Sequence, residues 1–429
     1  FLAGLTTMIS FLSLLSSALP RVREMSLLIS FGILIAFLLS VFLIPSVLVL
    51  VPRPPYLTKR SDSSRINKLL VALGRAFTKF RVPILTFLSI IGFWLSLGIN
   101  NLKVDTNPDH YFPTNSRLRI ANTKISEAFG GSTQMHILVE GDIYDPRTLQ
   151  NIELLTDHIK TTHNIVTKTF SIVDVIKNMN SGFHGGDSKF ATIPDDRDLI
   201  VQYMFLYSIA GDPDDFDIML DDIEDPSFTQ VFLRLKEVQT ITIAEIVDDT
   251  EQFINANFYD ESPINLTGGA TLLGILTRMV LKGQLLSLCS SIFIILIIMT
   301  LVFRSLIGGL LATFPMVMSV TMMFGLMGYM DIPLNMTTSM LTGILVGVGV
   351  DYTVHFLWHL RDHIQDGNSL DEAIANTMMI SGKGILFNGL SVVVGFSALL
   401  FSIFVPVQIF GILVMGSILF CLFGALATL

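Results

Sequence analysis

Long apolar stretches occupy both ends of the chain, and a more polar segment separates them. Each stretch is close to the roughly 20 residues that a helix needs to cross about 30 Å of hydrocarbon. The pattern predicts seven membrane-spanning helices, over residues 1–19, 25–50, 82–100, 284–303, 306–329, 335–360 and 384–403, and an eighth that starts near Val407. The chain is therefore predicted to be a polytopic α-helical membrane protein.

The segment 101–281 has the pattern of a folded αβ domain. Apolar residues alternate along Thr133–Glu140, as they do in a half-buried strand. Helices are predicted over Ser116–Phe129, Asp145–Thr161 and Thr242–Asn257, and strands over Thr133–Glu140, Ile165–Ile172, Thr229–Leu235 and Ile264–Thr267. This order fits α+β subdomains of the ferredoxin-like type. We expect a domain of this size to fold as a separate unit.

These patterns divide the chain into five predicted parts. They are two transmembrane helices (1–52), a basic cytoplasmic linker with a surface helix (53–81), a third transmembrane helix (82–100), an extracytoplasmic α+β domain (101–281) and the remaining transmembrane helices (282–429). Residue 1 is a phenylalanine inside an apolar run, and Leu429 also lies inside one. We therefore expect the sequence to be a piece of a longer protein.

The basic residues predict which side of the membrane each segment faces. Residues 51–82 hold eight lysines and arginines and a single acid, Asp62, which is typical of a cytoplasmic segment. Counting spans from there places residues 101–281 outside the membrane. Residues 101–280 hold 28 acids and 13 bases, whereas the net charge of the whole chain is −9. Such acidity is typical of a solvated surface.

Composition excludes several other classes. The chain is 51% hydrophobic and only 15% charged, which is too apolar for a soluble protein of 429 residues. Its two cysteines, Cys289 and Cys421, both lie in apolar spans, so a disulfide framework or a metal site is not expected. The sequence carries no nucleophile elbow, P-loop or metal-spacing motif, so neither an enzyme nor a cofactor is predicted.

The first and last spans also resemble each other. A shift of 385 residues places Gly4 on Gly389, Phe11 on Phe396 and Ser17 on Ser402, among other matches. Leucine-rich spans match by chance, but the fixed offsets favour a real internal repeat. Repeated halves are common in transporters.

A carboxylate in the span 335–360 is the strongest candidate for a functional group. An ionised aspartate at the bilayer centre costs about 2.5–3.5 kcal/mol, so Asp351 is expected to have a function. Gly343, Gly347, Asp351 and His355 lie four residues apart and share one helix face. These glycines, together with Gly349, would let a neighbouring helix approach closely.

Proton binding is the chemistry that suits such a group. A carboxyl group away from water favours its neutral form, and it can release the proton when water access changes. Tyr352 and His355 are the candidate partners of Asp351 in a proton relay. Capping of a broken helix by Asp351, packing by Tyr352 and a structural core role for His355 remain alternatives. Further candidates to hydrogen-bond across helices are Thr6, Thr7, Ser10 and Ser13 on the first span and Asn388 and Ser391 on a later one, although each could bond its own backbone instead.

The motif around this aspartate carries a family resemblance. Gly347-Val348-Gly349-Val350-Asp351-Tyr352, followed by Thr353-Val354-His355-Phe356, resembles the fourth or tenth transmembrane helix of the resistance–nodulation–division (RND) superfamily. The nearest branch is that of the MMPL-type hydrophobe and lipid exporters. The position of the motif after a large outside domain indicates the tenth helix, so the chain would cover helices five to twelve. The multidrug branch has a lysine on that helix, and no lysine occurs here.

The resemblance implies an RND-type bundle with extracytoplasmic porter domains and an Asp-Tyr proton relay. It implies export of lipids or other hydrophobic molecules, driven by protons, in the cytoplasmic (inner) membrane of a bacterium or archaeon. A sterol-sensing, Patched-like regulator and a SecDF-like protein-export factor are the alternative functions. The expected partners are a hydrophobic substrate, protons and the membrane, and no nucleic acid. Assembly as a homo-oligomer stays open.

Overall fold

The computed structural model describes residues 2–50, 65–210, 216, 218–236, 238–258 and 263–428. Residues 51–64, which include the first part of the predicted basic linker 53–81, lie outside the described residues. The chain divides into two compact units. One comprises Phe1–Val104 and Met279–Leu429, and is named the membrane unit here; the other, Asp105–Arg278, is named the αβ unit.

The described residues form sixteen α-helices and four strands. The helices are α1 (Leu2–Leu12), α2 (Pro20–Leu50), α3 (Arg65–Lys79), α4 (Arg81–Leu97), α5 (Arg117–Phe129), α6 (Pro146–Thr162), α7 (Ile172–Phe183), α8 (Arg197–Ala210), α9 (Thr240–Asn257), α10 (Gly268–Phe303), α11 (Leu306–Tyr329), α12 (Met336–Ser339), α13 (Leu341–Gln365), α14 (Leu370–Thr377), α15 (Lys383–Ser397) and α16 (Val405–Thr428). The strands are β1 (Thr133–Glu140), β2 (Val166–Phe170), β3 (Phe228–Leu235) and β4 (Ile264–Thr267).

Seven helical segments among the described residues are long and apolar enough to cross a membrane. They are Pro20–Leu50, Arg81–Asn101, Gly268–Phe303, Leu306–Tyr329, Met336–Gln365, Leu370–Phe401 and Val405–Leu426. Each contains most or all of a predicted span, so the prediction of a mainly helical chain with several spans is confirmed. The predicted span 1–19 differs, because the apolar helical segment there is the shorter Gly4–Ser16, which comprises most of α1 and the turn after it.

Two spans begin earlier than predicted. The helix that contains 284–303 starts at Gly268, where Ala270 belongs to the apolar core of the αβ unit. The helix that contains 384–403 starts at Leu370, because a π-helical turn, Met378–Gly382, joins α14 to α15 without a break. In both cases an amphipathic segment extends an apolar one, and hydropathy alone detects only the apolar part.

The predicted repeat is present in the backbone. A 3₁₀ turn follows α1 over Ser13–Ser16, and another follows α15 over Ala398–Phe401. The turns are 385 residues apart, the offset at which the sequences match, and α2 and α16 begin at that same offset. Side-chain packing repeats as well: a Cβ on Gly4 would lie 3.4 Å from Phe37, and one on Gly389 would lie 2.7 Å from Leu422.

Helix α13 lies at the centre of the membrane unit. It packs against α1, α11 and α16, and most of its residues from Leu341 to Phe356 are buried. Neighbouring helices therefore cover α13 on several sides, although its sequence contains a carboxylate. Helix α3, the second part of the predicted basic linker, is helical over Arg65–Lys79 as predicted.

The αβ unit contains one antiparallel sheet with the strand order β2-β3-β1-β4. Its apolar core includes Met135, Ile137 and Val139, the residues that alternate along β1. Ser116 caps α5 by accepting from the Arg119 N–H, and Asp145 caps α6 in the same way, so both helices begin where predicted. The helices α7 and α8 were not predicted.

A carboxylate holds α6 and α9 together in this unit. Asp249 Oδ2 on α9 accepts hydrogen bonds from His158 Nε2 (3.0 Å) and His163 Nε2 (2.9 Å), at the end of α6. Burial raises the pKa of Asp249, but the hydrogen bonds from His163 and His158 outweigh it and hold the pKa below its ordinary value of 3.8. The carboxylate thus stays ionised at neutral pH.

Candidate functional site

Asp351 lies near the middle of α13, and both its oxygens accept hydrogen bonds from α1. The Thr6 hydroxyl donates to Oδ1 at 2.9 Å, and the Thr7 hydroxyl donates to Oδ2 at 2.8 Å. The two donors are adjacent in sequence and more than 340 residues from Asp351. Two hydroxyl groups from another helix therefore reduce the free-energy cost of burying this carboxylate in an apolar helix.

Glycines on α13 allow this contact. A Cβ on Gly347 would lie 3.2 Å from Thr7 Cγ2, and one on Gly343 would lie 2.7 Å from Leu14 Cδ1. Side chains at these positions would push α1 away from the carboxylate. Gly349 lies on another face, where a Cβ would meet Cys421 Sγ of α16 at 3.0 Å. The first two glycines thus face α1, and the third faces α16.

Tyr352 points away from this contact. Its side chain is 1% exposed, and its hydroxyl has no hydrogen-bond partner among the described residues. Adjacent residues of an α-helix point about 100° apart, so Tyr352 does not reach the carboxylate next to it in sequence. The expected hydrogen bond between Tyr352 and Asp351 is therefore absent from the described part of the structure.

A cavity of about 320 Å³ adjoins the tyrosine. It is lined by Tyr352, His355, His359, Ile380, Ser381, Gly384, Ile385 and Asn388. Ser381 belongs to the π-helical turn, and its hydroxyl donates to the His355 carbonyl at 3.4 Å. The structure thus separates the predicted site residues into a carboxylate contact with α1 and a cavity that contains two histidines.

Of the remaining predicted hydrogen-bond partners, Ser13 bonds Ser291 of another helix, whereas Ser10 and Ser391 donate to their own backbone. Ser10 donates to the Thr6 carbonyl at 2.8 Å, and Ser391 donates to the Phe387 carbonyl at 2.7 Å. Ser391 and Asn388 are exposed, and only Asn388 lines the cavity. Among the first-span candidates, Thr6 and Thr7 are the two whose hydroxyls reach the carboxylate.

Sequence reasoning missed polar residues on α10. Gln284, Ser287 and Ser291 are buried, and they lie three or four residues apart on one face of an apolar helix. This spacing in the sequence could have predicted a polar face on the helix. Within the described residues, no group of three or more histidine, cysteine or acidic side chains is arranged to hold a metal ion.

Comparison with known proteins supplies independent information. The model of the MMPL family matches residues 1–79 and 228–429. A protein of Methanocaldococcus jannaschii, whose name describes it only as a membrane protein, is 22% identical over 338 residues, which cover 73% of this chain and 80% of that protein.

A solved structure shares the fold. It is the cryo-EM structure of the hedgehog release protein Disp from the water bear Hypsibius dujardini, with a TM-score of 0.63 and 13% identity. The alignment covers 99% of this chain and 57% of that one, so the chain spans little more than half of the length of Disp. Because the family match includes well over half of its residues, the chain is a multi-pass membrane protein that belongs to the MMPL family.

Proposed function

We propose that the chain is part of a proton-driven exporter of lipids or other hydrophobic molecules, with Asp351 as the group that carries the proton. The observation that supports this most directly is the pair of hydroxyl bonds from α1 to a carboxylate in the middle of an apolar helix. Charged groups within transmembrane helices commonly lie on ion or proton pathways. Membership of the MMPL family supports a role in transport.

Protonation of Asp351 would change how α1 and α13 contact each other. The ionised carboxylate can accept from both threonines, whereas a protonated carboxyl is itself a donor and accepts less strongly. One of the two bonds is then weakened or reversed. Moving one charge through 100 mV supplies about 2.3 kcal/mol, enough to bias two arrangements of these helices.

The cavity beside Tyr352 is the proposed continuation of the relay. The unpartnered Tyr352 hydroxyl adjoins it, and His355 and Asn388 line it. An imidazole can accept a proton at one nitrogen and release one from the other, so His355 is the group that would pass a proton to water in this cavity. Counting spans from the basic segment 51–82, α13 would run from the outside inward, so this cavity near its end would open on the cytoplasmic side.

We also propose that the αβ unit is an extracytoplasmic porter domain of the ferredoxin-like type. The order β2-β3-β1-β4, antiparallel throughout, is that of a split βαβ arrangement in which β3 lies between β1 and β2. The cytoplasmic (inner) membrane is the proposed location. The electrical potential across this membrane would supply the driving force for export, and the lipids of the membrane would be the substrates.

The test is to replace Asp351 by Asn, which keeps the shape of the side chain and cannot titrate. The protein would be reconstituted in vesicles with a fluorescent phosphatidylethanolamine as the probe, and transfer of that lipid to acceptor vesicles would be measured with and without a pH gradient. We expect gradient-dependent transfer by the original chain and none by the variant. Infrared difference spectra on changing pH should show a protonated carboxyl band that the variant lacks. Unchanged transfer by a folded variant would refute the proton-carrying role.

A second candidate is a Patched-like regulator that does not export. The structural likeness to Disp, whose name describes a release protein, is compatible with it. This candidate predicts no lipid transfer under any gradient, although the infrared band of Asp351 could still respond to pH. The lipid-transfer measurement therefore separates the two functions.

A further inference from the structure

A continuous line of buried polar side chains joins α1, α10 and α13. We name it the hydroxyl seam and define it as Gln284, Ser287 and Ser291 of α10, Thr342 of α13, and Ser10 and Ser13, which belong to α1 and the turn after it. All six are buried, in a unit whose helices are otherwise strongly apolar. Polar side chains in such a position are costly unless they hydrogen-bond to one another, to the backbone or to water.

The seam is built from contacts between helices. The Gln284 amide Nε2 donates to Thr342 Oγ1, and the hydroxyls of Ser13 and Ser291 hydrogen-bond to each other. Ser287 lies between these two contacts on α10, and its carbonyl accepts from Ser291 at 2.6 Å. One face of α10 therefore hydrogen-bonds to α13 through Gln284, and to the turn after α1 through Ser291, two helical turns further along.

The same line leads to the proton site. Ser13 donates to the Ser10 carbonyl at 2.6 Å, Ser10 donates to the Thr6 carbonyl at 2.8 Å, and Thr6 donates to Asp351. Thr342 precedes Asp351 by nine residues on α13, a distance of about 14 Å along the helix axis. The seam thus runs from near the start of α13 to the carboxylate at its middle.

One atom of the seam lacks a partner. Gln284 is 6% exposed, and among the described residues its amide oxygen Oε1 accepts no hydrogen bond. If the seam served only to hold helices together, an apolar side chain at this position would avoid that penalty. A buried acceptor without a partner, on a helix face that also carries Ser287 and Ser291, is the kind of site at which water binds.

We infer that the hydroxyl seam admits water from the start of α13 to Asp351 and delivers protons to it. This inference rests on the proposed function, because it supplies the outer route to the proposed proton site. A water chain accounts for three observations together: the polar face of α10, its contacts on two other helices and the unpartnered Gln284 oxygen. The alternative is that the seam is dry and only holds the helices together, as interhelical hydrogen bonds commonly do.

Cysteine labelling tests whether the seam contains water. Cys289 and Cys421 would first be replaced by alanine, and Ser287→Cys would then be introduced into the full chain. The matched control is Leu286→Cys, the neighbouring residue, which is exposed on the apolar surface of α10. A membrane-impermeant methanethiosulfonate would be added from either side of vesicles that contain the protein.

We expect the reagent to react with Ser287→Cys at least about tenfold faster than with Leu286→Cys, because only a hydrated thiol ionises and meets the reagent. The reaction should proceed from the outer side and should slow when Gln284→Leu is added. Equal rates, or reaction from the cytoplasmic side only, would overturn the inference. If Ser287→Cys impairs folding, Ser13→Cys serves with the same control.

The two proposals fail in different ways. If Ser287→Cys does not react and Asp351→Asn is inactive in lipid transfer, the water route is refuted and the proton site at Asp351 is retained. A reactive Ser287→Cys beside a fully active Asp351→Asn would support the water route and eliminate the proposed proton-driven export.

Discussion

Two carboxylates in this molecule each accept hydrogen bonds from two side chains that lie close together in sequence, but their surroundings differ. Asp351 accepts from Thr6 and Thr7 and joins α13 to α1, whereas Asp249 accepts from His158 and His163 and joins α9 to α6. The first pair of donors is neutral and lies in an apolar helix bundle. The second pair can carry charge, and the Asp249 side chain is 37% exposed.

The difference indicates which carboxylate can exchange a proton as part of a mechanism. Imidazole groups can match the charge of Asp249, and solvent screens it, so its ionised form is favoured and the contact holds two helices together. Hydroxyl groups cannot neutralise Asp351, so its charge remains costly and gain of a proton is a real alternative. A carboxylate with two donors is thus a structural link in one unit and a candidate switch in the other.

The largest expected effect distinguishes the two carboxylates directly. Asp351→Asn should reduce gradient-driven lipid transfer about 100-fold or more, since it removes the only group of this contact that exchanges protons. Asp249→Asn should leave that rate within about twofold, since its effect is on the αβ unit alone. Equal losses of transfer in the two folded variants would contradict the assignment of different roles.

The next effect concerns the distance between α1 and Asp351. Even a Cβ at Gly347 would lie 3.2 Å from Thr7, and Gly347→Val adds two methyl groups to it. Helix α1 must then move, which weakens the hydrogen bonds from Thr6 and Thr7 to Asp351. Overpacking of this kind costs about 1–3 kcal/mol, and thermal unfolding in detergent should show the loss together with slower lipid transfer.

A second glycine provides the matched control for Gly347→Val. A Cβ on Gly395 of α15 meets no atom within 4 Å, so Gly395→Val should change neither unfolding nor transfer. A Gly347→Val protein that retains full transfer would show that the α1–α13 contact is not needed for function.

Removing one donor gives a smaller effect. Thr7→Val keeps the shape of the side chain and deletes the hydroxyl that bonds Oδ2. A hydrogen bond to a charged group contributes about 1.5–3 kcal/mol, so lipid transfer should change about tenfold in rate. The control is Ser391→Ala on α15, at the position that the internal repeat pairs with Thr6, where the hydroxyl bonds its own helix. If both variants behave alike, the hydroxyl bond to Asp351 has no role in transport.

Much of this arrangement could be predicted from sequence. Periodicity located β1 and β4 with their observed ends, and the predicted starts of α5 and α6 coincide with the residues that cap them. Asp351 was conspicuous because a carboxylate in an apolar helix is rare, and the glycines four and eight residues before it predicted a close neighbour. These features are local, and each is decided by a few adjacent residues.

The missed features depend on contacts between distant residues. Nothing near Tyr352 in sequence shows that it faces a cavity with His355 rather than the carboxylate. The choice of Thr6 and Thr7 over Ser10 depends on the rotation of α1 against α13, which side-chain packing determines. Helices α7 and α8 lie between β2 and β3 and were not predicted, although Ile172, Val173 and Ile176 are buried at helical spacing along α7. The start of α10 was missed because its first turns are amphipathic rather than apolar.

The smallest expected effect is a pH-dependent one in the αβ unit. Because the hydrogen bonds hold the pKa of Asp249 below 3.8, this carboxylate stabilises the fold above that pH and loses its contribution as the pH falls through the lowered value. Asp249→Asn should therefore weaken the α6–α9 contact at pH 7 by about 1 kcal/mol or less, because the side chain is partly exposed. Hydrogen exchange of α6 and α9 in the full chain measures this, with variant and original compared at the same pH. Faster exchange in the variant at pH 7 that disappears in strong acid would support the linkage. A difference that grows as the pH falls would show instead that the protonated carboxyl is the stabilising form, and the contrast with Asp351 would then be lost.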